Sequence, residues 1–184
     1  MSRAGVDHVA GDTRSSFSPI FWNRITFQNP AKEHTLSILC DPKHLALTQF
    51  PTDAYTNWQW SDLLQQNRAK PMVLDGLPRG IKPIVQFIDD WDTARRLGLI
   101  IEAKVGEKGG KILICSIDLQ SGLQRGGNAD ERPVARQLLS SLLSYMNGIH
   151  FLTEPEPKFN ADGELIPAPL LPELTIEQLH RLLK

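Results

Sequence analysis

The sequence predicts an α/β domain with a mostly parallel sheet and an antiparallel hairpin at one edge. Three observations predict this fold class. Short apolar segments of strand length alternate with segments that carry helix signals. A Gly-rich turn joins two longer apolar runs near the middle of the chain, which is typical of a β-hairpin. A clearly amphipathic segment of helix length follows the hairpin.

The first half of the chain supplies the shorter strands. The segments "HTLSILCD" (34–41), "PMVLDGL" (71–77) and "IKPIVQFIDDW" (81–91) are apolar runs bounded by polar or turn residues. Such runs are typical of buried strands. Segment 41–50 begins with Asp-Pro, and a capping residue followed by a first-turn proline predicts a short helix.

The stretch "TNWQWSDLL" places two tryptophans two positions apart. In a strand both rings would share a face and form a shelf for a sugar ring, whereas in a helix they lie about 200° apart. Thr56 and Gln59 have the spacing of a capping box, and Tyr55 could form a hydrophobic staple with Trp60, so a helix is favoured. Trp60 is then expected in the core. Trp58 lies on another side, where it either contacts a ligand or packs under a loop.

The hairpin and the helix after it are the clearest elements. The runs "LGLIIEAKV" (97–105) and "KILICSIDL" (111–119) are joined by "GEKGG", which predicts an antiparallel pair. The segment "ERPVARQLLSSLLSYMNG" (131–148) has apolar residues at helical spacing and ends at a glycine. Residues 175–183 form a second amphipathic helix that begins with a capping box.

Composition divides the chain into three parts. Residues 1–16 are expected to be a flexible leader, and residues 17–150 form the α/β domain. Residues 151–184 are expected to be a Pro-rich linker with a terminal amphipathic helix. A doubly wound sheet should begin with a strand–helix unit, and only the leader precedes "FSPIFWN". We therefore expect the domain to be incomplete at its N-terminus.

Charge and hydropathy argue against several kinds of partner. The 184 residues are 41% hydrophobic and 22% charged, which is ordinary for a globular domain. A net charge of −1 gives no electrostatic reason to expect nucleic acid or an anionic membrane surface as a partner. No apolar run approaches the ~18 residues that span a bilayer. The first residues also lack the apolar core of a signal peptide.

No metal ion or other cofactor is predicted. The five histidines are scattered without metal-ligand spacing. No P-loop or dinucleotide-binding glycine motif is found. Cys40 and Cys115 each lie at the end of an apolar run. We expect buried thiols that pack as small apolar groups, with a mutual disulfide or a reactive thiol as the alternatives.

The carboxylates are the natural candidates for acid–base chemistry. A glycosidase needs two carboxylates that face each other at about 5–10 Å across its substrate. Asp89 and Asp90 are adjacent at a strand end, so their side chains point to opposite faces and make a poor catalytic pair. They are expected to cap a strand-end turn. Glu102 interrupts an apolar strand and is expected to be paired or at the sheet rim.

Seven segments form a recognisable series along residues 12–150: "FSPIFWNRITF", "HTLSILCDPKHLAL", "FPTDAYTNWQWSDLL", "PMVLDGLP", "KPIVQFIDDWDTARRLGLIIEAKVG", "KILICSIDL" and "RPVARQLLSSLLSYM". The series resembles the C-terminal region of large bacterial glycoside hydrolase family 2 proteins. These are β-galactosidase-like enzymes with a sugar-binding domain, common in Bacteroidetes. The resemblance rests on the combination, which is more specific than any one segment.

The resemblance implies a non-catalytic accessory or interdomain module of a carbohydrate-degrading enzyme, with a glutamine-amidotransferase-like α/β fold. In that family the catalytic glutamates lie in a separate barrel, so no catalytic residue is carried over to this sequence. The implied partners are the catalytic portion of the hydrolase and carbohydrate, and self-association is also expected. The parent enzyme is expected to be exported.

An independent carbohydrate-binding module is the alternative function. Exposed aromatic rings offer a flat apolar surface with a polar handle, on which sugar rings can stack. A binding module should expose at least two rings beside a groove with polar neighbours. The candidate carbohydrate-binding residues are Trp22, Trp58, Trp91, Asp89 and Asp90.

Overall fold

A computed structural model describes the chain from residue 37 onward, with gaps. The described ranges are 37–65, 68–89, 94–106, 109–120, 132–152, 158–160, 164–166 and 171–183. The predicted leader, residues 1–16, lies outside them. The described strands are β1 (Ser37–Cys40), β2 (Met72–Val73), β3 (Pro83–Ile88), β4 (Leu97–Val105), β5 (Gly110–Cys115), β6 (Lys158–Phe159), β7 (Leu165–Ile166) and β8 (Glu173–Leu174). The described helices are α1 (Ser61–Leu64), α2 (Pro133–Asn147) and α3 (Ile176–Leu182), with short 3-10 turns at Leu45–Leu47 and Trp58–Trp60.

The six strands β1 to β5 and β8 form one mixed sheet around β4. β3 and β8 pair with one edge of β4, and β2 and β5 pair with the other. β1 extends the sheet beyond β3. Only β8 runs parallel to its neighbour among the described pairings of this sheet. β6 and β7 form a separate antiparallel pair.

The α/β class is confirmed, but the expected mostly parallel sheet is wrong. Parallel neighbours need a crossover of about a dozen residues or more, usually a helix. The predicted helices of the first half are too short for this, since the described turn Leu45–Leu47 has three residues and α1 has four. β3 and β4 are joined by residues 89–96 alone and pair antiparallel. The alternation of strand and helix signals in the sequence therefore did not correspond to helical crossovers between parallel strands.

The predicted hairpin of β4 and β5 is confirmed. Lys104 lies opposite Lys111, and Val105 lies opposite Gly110. In the turn, Gly106 and Gly109 have φ angles of 69° and 62°. A side chain with a β-carbon is strained in this left-handed region, so the turn needs these glycines.

Helices cover both faces of the sheet around β4 and β5. On one face, Ile100 and other apolar side chains pack with Leu138 and Leu142 of α2. On the other face, Ile101 and its neighbours pack with Leu182 of α3. The terminal helix and β8 therefore pack on the α/β domain. The smaller cluster contains Met72, Leu74, Leu77, Ile81, Ile101, Ala103, Ile114, Leu174 and Leu182.

The two longer helices begin where the sequence predicts them. α2 starts after Arg132, whose buried guanidinium donates to the Asp62 carboxylate at 2.9 Å and to the Asp118 carbonyl at 2.6 Å. These bonds tie the start of α2 to α1 and to the chain after β5. α3 begins with the predicted capping box of Thr175 and Gln178. No helix within the described ranges is long and apolar enough to cross a membrane.

Candidate functional site

The segment that leads to the two tryptophans runs along the outer edge of β1. The backbone N–H of Cys40 donates to the Ala54 carbonyl at 2.9 Å, and its thiol donates to the Asp53 carbonyl at 3.3 Å. Tyr55 forms an antiparallel bridge with Leu39. These contacts fix the backbone before the tryptophans in an extended conformation.

The Thr56 side chain is buried and completes this attachment. Its hydroxyl accepts the backbone N–H of Ile38 at 2.9 Å and lies 2.5 Å from the Ser37 hydroxyl. Because β1 uses this hydroxyl, the predicted capping box of Thr56 and Gln59 is wrong. Asn57 caps the turn instead, since its side-chain oxygen accepts the Gln59 N–H at 3.2 Å.

Trp60 is buried, as the sequence predicted. Its indole N–H donates to the Thr52 hydroxyl at 2.7 Å, and its ring meets Phe50 edge-on with centroids 5.3 Å apart. The predicted staple of Trp60 with Tyr55 is wrong, because Tyr55 is 61% exposed and pairs with Leu39. Phe50 and Thr52 therefore supply the ring contact and the hydrogen bond that hold Trp60 in the core.

Trp58 is 84% exposed although it lies two positions from Trp60. Tyr55 is exposed on the same fixed segment. Two polar side chains accompany them, and the Asn57 amide donates to the Asp53 carboxylate at 3.1 Å. We call Asp53, Tyr55, Asn57 and Trp58 the exposed aromatic site. It combines apolar ring surface with hydrogen-bonding groups.

Asp89 lies at the end of β3 and is buried. Its carboxylate accepts the backbone N–H of Arg95 at 2.8 Å and two guanidinium N–H groups at 2.8 and 3.1 Å. The pair closes the connection between β3 and β4, so Asp89 is not displayed at the surface. The other candidate residues, Trp22, Asp90 and Trp91, lie outside the described residues.

A second cluster of polar groups surrounds Glu102 on β4. The Tyr145 hydroxyl donates to this carboxylate at 2.8 Å, and the His44 Nε2 lies 3.7 Å from it. Burial raises the pKa of Tyr145, and the bond to Glu102 adds to this effect. His44 Nδ1 accepts the Ala46 N–H at 3.2 Å, which fixes the ring. Sequence analysis missed His44 and Tyr145, because they lie far apart in the chain and share no motif.

An open, groove-like cavity of about 200 Å³ lies beside this cluster, between the Leu45–Leu47 turn and the end of α2, and most of the residues that line it are exposed. We call it the α2 cavity. It has an apolar part and a part with hydroxyl and amide groups, and its lining contains no Asp, Glu, Lys or Arg. The residues that matter for its chemistry are Leu45, Thr48, Gln49, Ser144, Tyr145 and His150.

The two cysteines are free thiols. Burial raises the pKa of Cys40 to about 11, with a further increase from the nearby Asp41 and Asp53 carboxylates. Burial raises the pKa of Cys115 to about 12. Both thiols are therefore protonated near neutral pH and are poor nucleophiles. Within the described residues, no group of His, Cys, Asp and Glu could hold a metal ion.

Comparison with known proteins places the chain in a family. The search of curated proteins finds no match to this sequence. A family model described as a domain of unknown function, DUF8487, matches residues 3–164, which include the exposed aromatic site and the α2 cavity. Because the match spans most of the sequence, this chain belongs to the DUF8487 family.

Proposed function

We propose that the chain is a non-catalytic accessory module of a carbohydrate-degrading glycoside hydrolase and that it contacts carbohydrate at Trp58. The observation that carries the proposal is the 84% exposure of Trp58. Trp is a residue that is highly buried on average, so a Trp ring this accessible on an ordered segment is a candidate contact for a ligand. The ring supplies the flat surface on which a sugar ring stacks.

The fixed backbone of the exposed aromatic site supports this role. Four hydrogen bonds and the Leu39–Tyr55 bridge attach its segment to β1. A ligand that binds Trp58 therefore does not have to order the backbone beneath the ring. Such preorganisation lowers the entropic cost of binding.

The polar neighbours of Trp58 also suit a carbohydrate. Asp53 and Asn57 are bonded to each other at 3.1 Å and lie on the same segment. A carboxylate accepts hydrogen bonds from sugar hydroxyls, and an amide both donates and accepts. In this proposal the Trp58 ring packs on the apolar face of a sugar, and the polar groups of the same segment bond to its hydroxyls.

The engaged carboxylates support a module without hydrolytic activity of its own. Asp89 is held by Arg95, and Glu102 accepts from Tyr145. Asp62 lies between two guanidinium groups, those of Arg68 and Arg132. Each of these acids thus has a local structural role that accounts for its position.

The partner in this proposal is the catalytic portion of the hydrolase. Leu39 and Ile88 are exposed on the same side of the β1–β3 pair, because Ser37 lies opposite Ile88 and alternate residues share a face. Together with Tyr55 they form an apolar surface that a partner domain could cover. The glutamine-amidotransferase-like arrangement is a further prediction that rests on the family 2 resemblance alone.

An independent carbohydrate-binding module is the second candidate, and the exposure of two rings on one segment, those of Tyr55 and Trp58, favours it as well. The two candidates differ in what the catalytic portion does. An independent module binds carbohydrate equally well with and without that portion. An interdomain module buries Leu39 and Ile88 against it, and these side chains then become protected from solvent.

Carbohydrate binding is tested by electrophoresis of the full chain through gels that contain soluble polysaccharides, including galactans and xylans. We expect at least one polysaccharide to retard the chain and Trp58→Ala to abolish the retardation. Ile176→Ala is the matched control, because Ile176 is also a large exposed apolar residue and lies on α3. No retardation on any polysaccharide, or equal retardation of both variants, would contradict the Trp58 proposal.

The non-catalytic role is tested with a panel of nitrophenyl glycosides. We expect no release of nitrophenol by the purified chain beyond the rate without protein. The informative variants are Asp89→Asn and Glu102→Gln. Turnover by the native chain that either variant abolishes would contradict this part of the proposal.

A further inference from the structure

We infer that the α2 cavity is a binding site for one neutral sugar ring. This inference deepens the proposed carbohydrate function and rests on it, but it concerns a different surface from Trp58. The volume of about 200 Å³ is the first reason. Pockets for drug-sized ligands measure about 300–1,000 Å³, so this smaller, open cavity has room for a single small ring.

The chemistry of the lining is the second reason. The Ser144 hydroxyl can donate one hydrogen bond and accept two, and the Gln49 amide can donate two. Leu45 and the Tyr145 ring supply apolar surface. A sugar ring carries hydroxyl groups around its edge and C–H groups on its faces, so it can use both parts of the lining.

The residue types of the lining favour a neutral ligand over most charged ones. A phosphate or carboxylate ligand is usually held by Arg or Lys, and a cation is usually held by Asp or Glu. None of these four residue types lines the cavity, and His150 is the one basic side chain in its lining. A neutral ligand rich in hydroxyl groups is therefore the chemical class that the cavity fits.

The walls of the cavity are fixed before a ligand arrives. The Ser141 hydroxyl donates to the Ala46 carbonyl at 2.8 Å and accepts the Gln49 N–H at 3.1 Å. The Gln137 side chain also donates to the Gln49 carbonyl. On the other side, Glu102 holds the Tyr145 hydroxyl. The 3-10 turn and α2 are thus attached to each other across the cavity, which limits the entropy lost on binding.

The test is a titration of the isotope-labelled full chain with methyl glycosides of galactose, glucose and mannose, followed by NMR. The signals are the Gln49 side-chain amide and the Gly148 backbone N–H, which both belong to lining residues. We expect one glycoside to shift them with a dissociation constant of about 1 mM, the range that so few atoms can reach. Sodium phosphate, as an anionic control, should leave them unshifted.

Two variants on α2 separate the cavity from the general surface. Ser144→Leu fills the opening and should weaken binding at least about tenfold. Asn147→Leu is the matched control, because Asn147 is exposed on the same helix and does not line the cavity. Absence of shifts with every glycoside, equal binding by both variants, or shifts with phosphate instead would overturn the inference.

The cavity and Trp58 proposals fail separately. Trp58→Ala should keep the glycoside shifts at Gln49 and lose polysaccharide retardation. Ser144→Leu should lose the shifts and keep the retardation. Retardation without any shift at Gln49 refutes the cavity alone, whereas shifts at Gln49 without an effect of Trp58→Ala refute the Trp58 contact alone.

Discussion

Trp58 and Trp60 have the same chemistry and lie two residues apart, yet one is 84% exposed and the other is fully buried. The turn Trp58–Trp60 has 3-10 geometry, in which residues i and i+2 lie about 240° apart. The two rings therefore point in directions about 120° apart and cannot share a face. Local backbone geometry separates a stabilising aromatic residue from one that can contact a ligand.

The neighbours of the two rings reinforce the difference. Trp60 has a hydrogen bond to Thr52 and an edge-on contact with Phe50, so both its polar and apolar parts are satisfied inside the protein. The ring of Trp58 remains largely accessible on a backbone that β1 holds in place. The first arrangement contributes to stability, whereas the second leaves an apolar ring exposed.

The largest expected effect is on stability at Trp60. Trp60→Ala should lower the free energy of unfolding by about 3–5 kcal/mol, because it removes a packed aromatic ring and leaves a cavity. Trp58→Ala is the matched control and should change it by no more than about 0.5 kcal/mol. Denaturant unfolding followed by circular dichroism measures both. Similar small losses of unfolding free energy in the two variants would show that Trp60 is not a core residue while Trp58 is a surface residue.

The second-largest expected effect is on the reactivity of Cys40. The segment that carries the exposed aromatic site is attached to β1 and covers this thiol. The pKa of Cys40 is raised to about 11, so its thiolate fraction at pH 8 is low. In Cys115→Ala, alkylation of Cys40 should be about 100-fold slower in the folded chain than in denaturant. Thr56→Val removes a bond that holds the segment and should speed the reaction. Equal alkylation rates in the folded and unfolded chains would mean that the segment does not protect Cys40 on β1.

The raised pKa of Cys40 also affects the stability of the folded chain at high pH. Burial keeps the Cys40 thiol protonated up to a pKa of about 11, whereas the ordinary pKa of a cysteine thiol is 9.0. Between these values the unfolded state binds fewer protons than the folded state. Stability should therefore fall as pH rises from about 9 to about 11. Comparison of the native chain with Cys40→Ala across this range isolates the contribution.

Elements with strong local signals were predictable from the sequence. The hairpin of β4 and β5, helix α2 and the capping box of α3 were all predicted and are confirmed. Each has a signal within a few residues, such as a Gly-rich turn or helical spacing of apolar residues. The burial of Trp60 was also predicted, because it precedes two leucines at helical spacing.

Features that depend on distant partners were not predictable. Thr56 has a suitable spacing for a capping box, but its hydroxyl bonds to β1 instead. Tyr55 was expected beside Trp60 and lies opposite Leu39. The prediction that most neighbouring strands run parallel was wrong for the same reason. Strand pairing is a long-range property that apolar runs alone do not specify.

The polar cluster around Glu102 and the α2 cavity were also not predictable from the sequence. Glu102, His44 and Tyr145 come from a strand, a turn and a helix that only the fold brings together. The sequence indicated that Glu102 would be paired, but it gave no sign of its partners. The cavity likewise arises from the packing of the Leu45–Leu47 turn on α2, and none of its residues forms a motif.

The central claim is that carbohydrate contacts Trp58 and not Trp60. The most direct measurement follows the indole N–H signals of both residues by NMR. The ligand in the titration is an oligosaccharide from the polysaccharide that retards the chain in electrophoresis. Trp58→Phe and Trp60→Phe assign the two signals. We predict that the Trp58 signal shifts in a saturable manner, while the Trp60 signal, which is bonded to Thr52 in the core, stays in place. A Trp58 signal that does not move while the oligosaccharide binds would contradict the account.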